Sequence, residues 1–485
     1  MAWKRSETFD WLSGNPVDVL VIGGGILGAG VARDAAMRGW RVALVEQCDF
    51  ASGTSSRSTR LLHGGLRYLA QGRIGMIREA GREKQILTRI APHLARPLPF
   101  VFPTYRRATR PLWQMAAGVK LYDLLCGVKN GPRSGVMGQA ATLSRVPGLC
   151  PEGLTGSVYY GDGLTNDARL VIDTLRSAQR HGAMVLNYAR HLDARPADGF
   201  WICRIHDQDT GREIDVRARG VVNAAGPWAD RFKQSRLNLR LTKGVHLVVD
   251  YTKLPIDQAV VMARGNRILF AIPYVRRVVL GTTDTDYQGE PQAVRTEMSD
   301  VHYILNVVNE TFPEARIAPA DIIADWAGLR PLIAQSDGSP SDISRAHLIH
   351  LSQPGWLDVA GGKLTTYRLI AQQAVDRLGQ ELSLSGACRT DVEPLVPPEQ
   401  VVGISGIEPP AASPELIEYY CLNEWSAHLE DILVRRGRWQ TYEPKSERKV
   451  EQIAMWMAAS LGWTDAKRQA EIVRYEKATS SVLDQ

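Results

Sequence analysis

Apolar residues first gather at Val17-Asp18-Val19-Leu20-Val21-Ile22, a short β-branched run that stops at three glycines. A nearly continuous apolar run of this length reads as a buried strand of a parallel sheet. Small residues and helix formers fill 28–38 and Gly39 follows them, so a helix is expected there. A second apolar run at 41–45 ends at Glu46. Strand, helix and strand in that order make one βαβ unit.

The pattern then changes. Residues 51–65 are rich in Ser, Thr, Arg and Gly, and a loop that long inside a domain points to a binding role. Prolines and glycines punctuate 98–163, with one helical stretch at 111–126. At 167–182, Leu170, Val171, Leu175 and Ala178 fall on one helical face. Strand signals follow at 183–188, 200–206 and 213–218, and 220–226 is an apolar run into a glycine turn. Short alternating runs at 241–286 read as an antiparallel sheet. Residues 357–360 lead into Gly361-Gly362-Lys363-Leu364-Thr365-Thr366, with a helix expected from there to about 378. Helical periodicity returns in the tail at 416–436 and 446–461. There is no internal repeat and no low-complexity segment.

A chain of 485 residues has room for two or three domains. With 44% hydrophobic and 23% charged residues it has the composition of a soluble globular protein. The formal charge of +6 suits an anionic substrate or an anionic membrane surface and is too small to indicate nucleic-acid binding. Six scattered cysteines without a C-x-x-C pair argue against disulfides and against a zinc site, so no metal is expected and a reducing compartment is. Residues 1–16 are polar apart from Trp3, Phe9 and Trp11 and lack a signal-peptide core. No run of ~20 apolar residues occurs, so no membrane span is expected.

The loop Gly23-Gly24-Gly25-Ile26-Leu27-Gly28 matches G-x-G-x-x-G in the context that gives the motif its meaning: a strand before it, a helix after it and an acid at the end of the next strand. Gly23 permits the tight turn, Gly25 lets backbone N–H groups approach a pyrophosphate, and Gly28 lets the helix pack on the strand. The helix N-terminus favours the phosphate charge. Glu46 can accept hydrogen bonds from an adenosine ribose. The loop by itself does not separate NAD from FAD.

The segment Thr54-Ser55-Ser56-Arg57-Ser58-Thr59-Arg60-Leu61-Leu62-His63-Gly64-Gly65-Leu66-Arg67-Tyr68-Leu69 separates them. Further motifs follow in order: Asn223-Ala224-Ala225-Gly226-Pro227-Trp228, Lys243-Gly244-Val245-His246, Gly281-Thr282-Thr283-Asp284, Gly328-Leu329-Arg330-Pro331-Leu332, and Gly361-Gly362-Lys363-Leu364-Thr365-Thr366-Tyr367-Arg368. Over roughly 17–380 the chain resembles the FAD-dependent glycerol-3-phosphate dehydrogenases, within the D-amino-acid-oxidase-like flavoproteins. The tail resembles their C-terminal helical domain more loosely. Leu27 stands where the family often has Asn or Thr, and Val245 where many members have Ser.

The resemblance implies an α/β fold: a Rossmann-like FAD-binding domain, discontinuous over 17–97, 164–235 and 340–385; an inserted antiparallel-sheet substrate domain over 98–163 and 236–339; and a C-terminal helical domain over 396–485. It implies FAD as cofactor, oxidation of sn-glycerol 3-phosphate by hydride transfer from C2 to the flavin N5, and a membrane quinone as acceptor. It further implies a cytoplasmic protein held peripherally on the inner face of the membrane, with a homodimer among the assemblies it allows. The alternative is a related FAD-dependent oxidase or dehydrogenase of another small anionic hydroxy compound, such as 2-hydroxyglutarate. A non-catalytic dinucleotide sensor is the rival from another class.

Oxidising a secondary alcohol needs a base, cations that fix the phosphate and a carbinol hydrogen facing the flavin. By resemblance, Arg330 and Arg345 are expected on the phosphate, which suits bidentate guanidinium forks. Arg67 and Lys363 are expected to help hold it or to polarise the C2 oxygen. His63 is the leading base, His246 the second, and a structural role remains open for each. Tyr68 is a substrate hydrogen-bond donor or a packing residue. Thr54, Ser55 and Ser56 are expected at the pyrophosphate or flavin, and Gly226 at the adenosine side. Gly361, Gly362, Thr365 and Thr366, at a helix start, are expected at the flavin N1–C2 carbonyl edge. Basic and aromatic residues interleave from Arg106 to Tyr122, as on a helix lying on an anionic bilayer or packed against the substrate domain.

Overall fold

The structure, a computed structural model, describes residues 5–70, 72–106, 109–127, 133–264, 267–334, 347–443 and 446–482. Two sheets organise the chain. In the first, strand Val17–Ile22 sits between Val42–Val45 and Glu213–Asn223, both parallel to it. Met184–Leu186 and Trp356–Gly361 extend the parallel pairing on either side. His347–Gln353 pairs antiparallel at the edge, and the hairpin Ala189–Ala197 and Phe200–Asp207 joins antiparallel to the start of Glu213–Asn223.

Both faces of the central strand are covered, which is why it reads as a solid apolar run. Val19 and Val21 point into a core shared with helices Ile26–Met37, Asp167–Arg180 and Tyr367–Leu382. Leu20 and Ile22 point the other way, into a core with Phe9, Leu12, Trp201 and Trp356. The helix side is lined by Ala29, Ala32, Ala35 and Ala36, small enough for helices to pack closely; a Cβ on Gly30 would stand 2.9 Å from that of Ala371.

The second sheet is antiparallel except where Ala259–Arg264 meets Arg96–Tyr105. Its longest pairing joins Leu239–Asp250 to Ile322–Ile333. Helix Met298–Thr311 covers one face through Val301, Ile304 and Val308. Helices Leu112–Cys126 and Ile74–Ile90 pack on the other through Val119, Tyr122 and Ile77. The C-terminal region is helical and surrounds Ile417, Tyr420, Ile432, Ile453 and Met457. A parallel sheet with helices, an antiparallel sheet and a helical tail are the parts the sequence led one to expect.

Three local expectations need correction. The helix expected over 416–436 is two pieces, Pro414–Asn423 and the wide turn Asp431–Arg436. The carbonyl of Tyr420 accepts the N–H of Glu424 (3.1 Å) and of Ser426 (3.2 Å), and Trp425 has φ 56°, so the chain turns there. The two strand signals at 213–218 and 220–226 belong to one strand, Glu213–Asn223, followed by a 3₁₀ turn at Gly226–Arg231. In the Pro-punctuated region Arg96–Tyr105 is a strand. It pairs along its length with Leu154–Leu164 but on its other side only at Phe100 and Val101, so Pro97, Pro99 and Pro103 interrupt little of the ladder.

Candidate functional site

A long cleft opens between the two sheets, at the carboxyl ends of the parallel strands, where open α/β sheets bind ligands. The glycine loop forms one wall. Gly23 has φ 112°, a conformation open to glycine, and a Cβ there would lie 2.5 Å from the carbonyl of Ala224. Gly25 lines the cleft and caps helix Ile26–Met37. Gly28 does not line it; a Cβ at Gly28 would meet the Gly23 carbonyl at 1.9 Å, so its role is to let helix and strand touch. Leu27 lines the cleft and also packs on the sheet core, whereas Val245 is fully buried.

Glu46 ends the second strand with both carboxylate oxygens engaged. Oε2 accepts the N–H of Gly24 at 2.7 Å and Oε1 that of Cys48 at 2.9 Å. Burial raises its pKa, opposed by these backbone donors. The carboxylate thereby ties the glycine loop to residues 46–52, while spare lone pairs remain for a ligand.

The Ser/Thr/Arg loop crosses the cleft. Ser55 Oγ accepts the N–H of Ile26 at 3.0 Å, and Thr54 Oγ donates to the carbonyl of Leu329 at 2.7 Å, joining the loop to both sheets. Thr54, Ser55, Arg57 and Thr59 line the cleft; Ser56 does not. Arg57 donates to the Ala327 carbonyl at 3.2 Å, and burial lowers its pKa.

The second sheet contributes Arg330 and His246. Arg330 is held by Thr282 Oγ1 (3.0 Å), the Thr283 carbonyl (3.3 Å) and Asp284 Oδ1 (3.1 Å). A Cβ on Gly244 would stand 2.4 Å from its guanidinium, so Gly244 is the seat on which Arg330 lies. His246 is buried, with Nε2 2.9 Å from Thr59 Oγ1 and its ring stacked on Trp326 at 5.1 Å. Its Nδ1 has no partner among the described residues. Burial, with Arg330 and Arg60 adding to it, holds its pKa well below the usual imidazole value. His246 is therefore a neutral ring at neutral pH.

His63 lines the cleft, its backbone N–H donating to Thr365 Oγ1 at 3.1 Å. Gly361 and Gly362 have φ 76° and 77° and form the turn that aims Lys363 into the cleft. The Lys363 ammonium lies 3.7 Å from the centre of the Tyr68 ring. Thr365 lines the cleft; Thr366, in the same 3₁₀ turn, is buried behind it. The α-helix begins at Tyr367, where the sequence led one to expect it, and runs to Leu382.

The structure thus brings Gly23, Gly25, Glu46, Thr54, Ser55, His63, Gly226, His246, Arg330, Gly361, Gly362, Lys363 and Thr365 to one cleft. It leaves Gly28, Ser56 and Thr366 just outside. Tyr68 is buried beside the Lys363 ammonium and off the cleft wall, and its hydroxyl has no hydrogen-bond partner among the described residues. Arg67 opens the short helix Arg67–Ala70. Arg345 lies outside the described residues.

Sequence reasoning passed over Arg57 and Thr59, though both stand in the motif it relied on, and over His191. His191 lines the cleft, and neither ring nitrogen has a hydrogen-bond partner among the described residues. Burial lowers its pKa to about 4. Nothing around His191 in the sequence marks it, because the cleft wall it joins is assembled by the antiparallel hairpin.

Comparison with known proteins gives a consistent picture. The profile of the family described as FAD dependent oxidoreductase matches residues 18–368. A Staphylococcus haemolyticus protein named aerobic glycerol-3-phosphate dehydrogenase is 40% identical over 398 residues, covering 79% of this chain and 72% of that protein. Its Staphylococcus epidermidis namesake is 39% identical over 391 residues, 78% of this chain and 70% of its own. Among solved structures, the glycerol-3-phosphate dehydrogenase of Bacillus halodurans complexed with FAD superposes with a TM-score of 0.77 at 28% identity, covering 98% of this chain and 97% of that one. The L-alpha-glycerophosphate oxidase of Mycoplasma pneumoniae, with FAD bound, shares the fold at a TM-score of 0.60 and 16% identity, over 77% and 97% of the two chains.

Proposed function

The chain belongs to the FAD dependent oxidoreductases, and from that premise we propose that it oxidises sn-glycerol 3-phosphate to dihydroxyacetone phosphate and passes the electrons to a membrane quinone. The cleft fits FAD. At Gly23 the wall leaves no room for a side chain, and neither ring nitrogen of His191, which lines the same cleft, has a hydrogen-bond partner among the described residues. Gly23, Gly25 and the helix start they cap, with Gly28 behind them, would hold the pyrophosphate. Glu46 would take the ribose, and Gly226 would border the adenosine. Thr54 and Ser55 would serve the pyrophosphate and flavin, with Ser56 supporting them from behind, and Gly361, Gly362 and Thr365 the flavin end, with Thr366 behind that turn. FAD, when bound, supplies the hydride acceptor at N5.

The observation that carries the substrate reading is that Arg330, Lys363, His63 and His246 all line that one cleft. Arg330, pre-oriented by Thr282 and Asp284, is the fork for the phosphate, with Arg67 and Arg345 proposed beside it. Lys363 polarises the C2 oxygen. His63 takes the hydroxyl proton. Neutral His246 is the second candidate base, linked to the cleft through Thr59, whose hydroxyl lies 2.9 Å from its Nε2. The names of the relatives point to this substrate as well.

Among the described residues no helix is long and apolar enough to cross a membrane. Helix Leu112–Cys126 nonetheless exposes Trp113 (70%) and Leu124 (78%), with Arg106 and Arg110 exposed in the segment before it. This surface fits peripheral attachment to the cytoplasmic face of an anionic membrane, where a quinone resides.

The test is anaerobic mixing of the FAD-loaded protein with glycerol 3-phosphate while flavin absorbance is followed. Bleaching, then reoxidation by a soluble quinone faster than by air, is expected. Bleaching by 2-hydroxyglutarate alone, or by no substrate, overturns the proposal.

A further inference from the structure

The C-terminal helical region touches the cleft indirectly, through two buried acids. Asp49 lies three residues beyond Glu46, inside the loop in which Ala51 N–H donates to the Gly24 carbonyl (3.0 Å) and Ser52 N–H to the Asp49 carbonyl (3.2 Å). One Asp49 oxygen pairs with both Arg435 and Arg436. The other accepts from Asn187 Nδ2 at 3.2 Å. Arg435 is held in turn by Asp431 Oδ1 at 2.7 Å, and Arg436 by the Glu424 carbonyl at 2.6 Å, so both guanidiniums are fixed within their own region.

The second acid is Asp167, at the start of helix Asp167–Arg180. Its Oδ2 accepts the N–H (3.0 Å) and hydroxyl (2.7 Å) of Ser58, in the Ser/Thr/Arg loop. Its Oδ1 pairs with Arg438, whose Nη2 also lies 3.5 Å from the Ser56 carbonyl. Arg438 is buried, in left-handed backbone at φ 56°, just beyond the Asp431–Arg436 turn. One short stretch of the C-terminal region therefore grips the cleft loop on both sides of residues 51–55, which line the cofactor cleft.

We propose that Arg435, Arg436 and Arg438 are positioning residues that set the two cofactor loops, so that FAD affinity depends on the docked C-terminal region. This rests on the cleft being the FAD site. Ion pairs out of water hold geometry tightly, because any displacement strands a charge. The loop at 46–52 carries the ribose acid and the loop at 54–59 carries the hydroxyls, so an error at Asp49 or Asp167 is passed to the cofactor wall. Arg-to-Lys replacement keeps the charge but loses the planar fork, and is the milder probe.

The experiment titrates FAD into the full-length apoprotein, following flavin fluorescence, for the wild type, Arg435→Lys, Arg438→Lys, Asp167→Asn and Met457→Ala. Met457 is fully buried in the C-terminal core and belongs to neither ion-pair network, so its variant reports loss of stability alone. Thermal unfolding of each apoprotein is measured alongside. The Lys variants are expected to raise the FAD Kd about tenfold or more at a Tm no lower than that of Met457→Ala, which keeps its Kd within about twofold. Asp167→Asn, outside the C-terminal region and off the cleft wall, removes the charge that Arg438 pairs with; it is expected to weaken FAD too and decides the matter if the Lys variants do not fold. Equal weakening by Met457→Ala at matched Tm, or unchanged Kd in the Lys variants or in Asp167→Asn, overturns the proposal. A wild type that binds no FAD refutes the cofactor reading of the cleft instead.

Discussion

The ammonium of Lys363 lies 3.7 Å from the centre of the Tyr68 ring, while the Tyr68 hydroxyl has no hydrogen-bond partner among the described residues. The face of the ring, not its oxygen, therefore holds the lysine in place. Tyr68→Phe should leave kcat/KM within about twofold of wild type. Tyr68→Leu loses a contact of ~1 kcal/mol and lets Lys363 wander, so kcat/KM should fall about fivefold or more. Steady-state kinetics of both variants check this, and a large loss in Tyr68→Phe would return the hydroxyl to a substrate role.

Arg330 combines a carboxylate partner with an open face to the cleft. Arg330→Ala should raise KM for glycerol 3-phosphate about 30- to 100-fold, the worth of ~2–3 kcal/mol of charge-assisted hydrogen bonds. Arg330→Lys should recover only part of it, because a point charge cannot reproduce the fork. Turnover of glycerol, which carries no phosphate, should change little. An unaltered KM for the phosphate ester would remove Arg330 from the phosphate site.

How this site could be seen beforehand differs from residue to residue. Gly23 to Gly28 and Glu46 declare themselves because strand, turn and helix are local, and their chemistry follows from spacing alone. Arg330 and Lys363 stand in short motifs whose meaning comes from resemblance; no periodicity would single them out among 58 basic residues. His191 and Arg438 were invisible for a physical reason: their environments are made by segments far away in sequence. The partner of Arg438 is 271 residues distant, and no local pattern encodes that pairing. The strand Arg96–Tyr105 was hidden by prolines that its sparsely paired side tolerates, and the break at Trp425 by a run of helix formers around it.

His246 makes a pH prediction. Burial first, then Arg330 and Arg60, hold its pKa well below 6.5. In the unfolded chain the ring takes up a proton near ~6.5. Between that value and the lower folded one the unfolded state binds more protons, so stability is full above ~6.5 and falls as pH drops. His246→Gln should flatten this fall by up to ~1.4 kcal/mol per pH unit. Urea unfolding at about pH 7 and about pH 5.5 measures it. An equal slope in variant and wild type would mean that the ring takes up its proton alike in the folded and unfolded chains.

A methyl group at Gly28 would meet the Gly23 carbonyl at 1.9 Å, and that oxygen belongs to backbone that cannot step aside. Gly28→Ala should therefore push helix Ile26–Met37 off the strand and open the glycine wall. The purified variant should be colourless, with a flavin-to-protein absorbance ratio below about a tenth of wild type. Gly72 offers a control, since a Cβ there meets nothing within 4 Å, although its φ of 68° adds strain. Gly72→Asn, which tolerates that conformation, should stay yellow.

Helix Leu112–Cys126 buries Val119, Tyr122 and Cys126 against the second sheet, yet its opposite side carries Trp113, Leu121 and Leu124 in solvent. A helix packed only for its own domain would place polar residues there. Indole and leucine side chains near exposed arginines are instead the composition of a surface that enters the headgroup region of an anionic bilayer. Trp113→Ser with Leu124→Ser should reduce co-sedimentation with phosphatidylglycerol vesicles about tenfold, and leave neutral vesicles equally poor binders in variant and wild type. Because neither side chain lines the cleft, turnover with a water-soluble quinone should be unchanged. Undiminished binding of the double variant to anionic vesicles would place the membrane contact elsewhere on the protein.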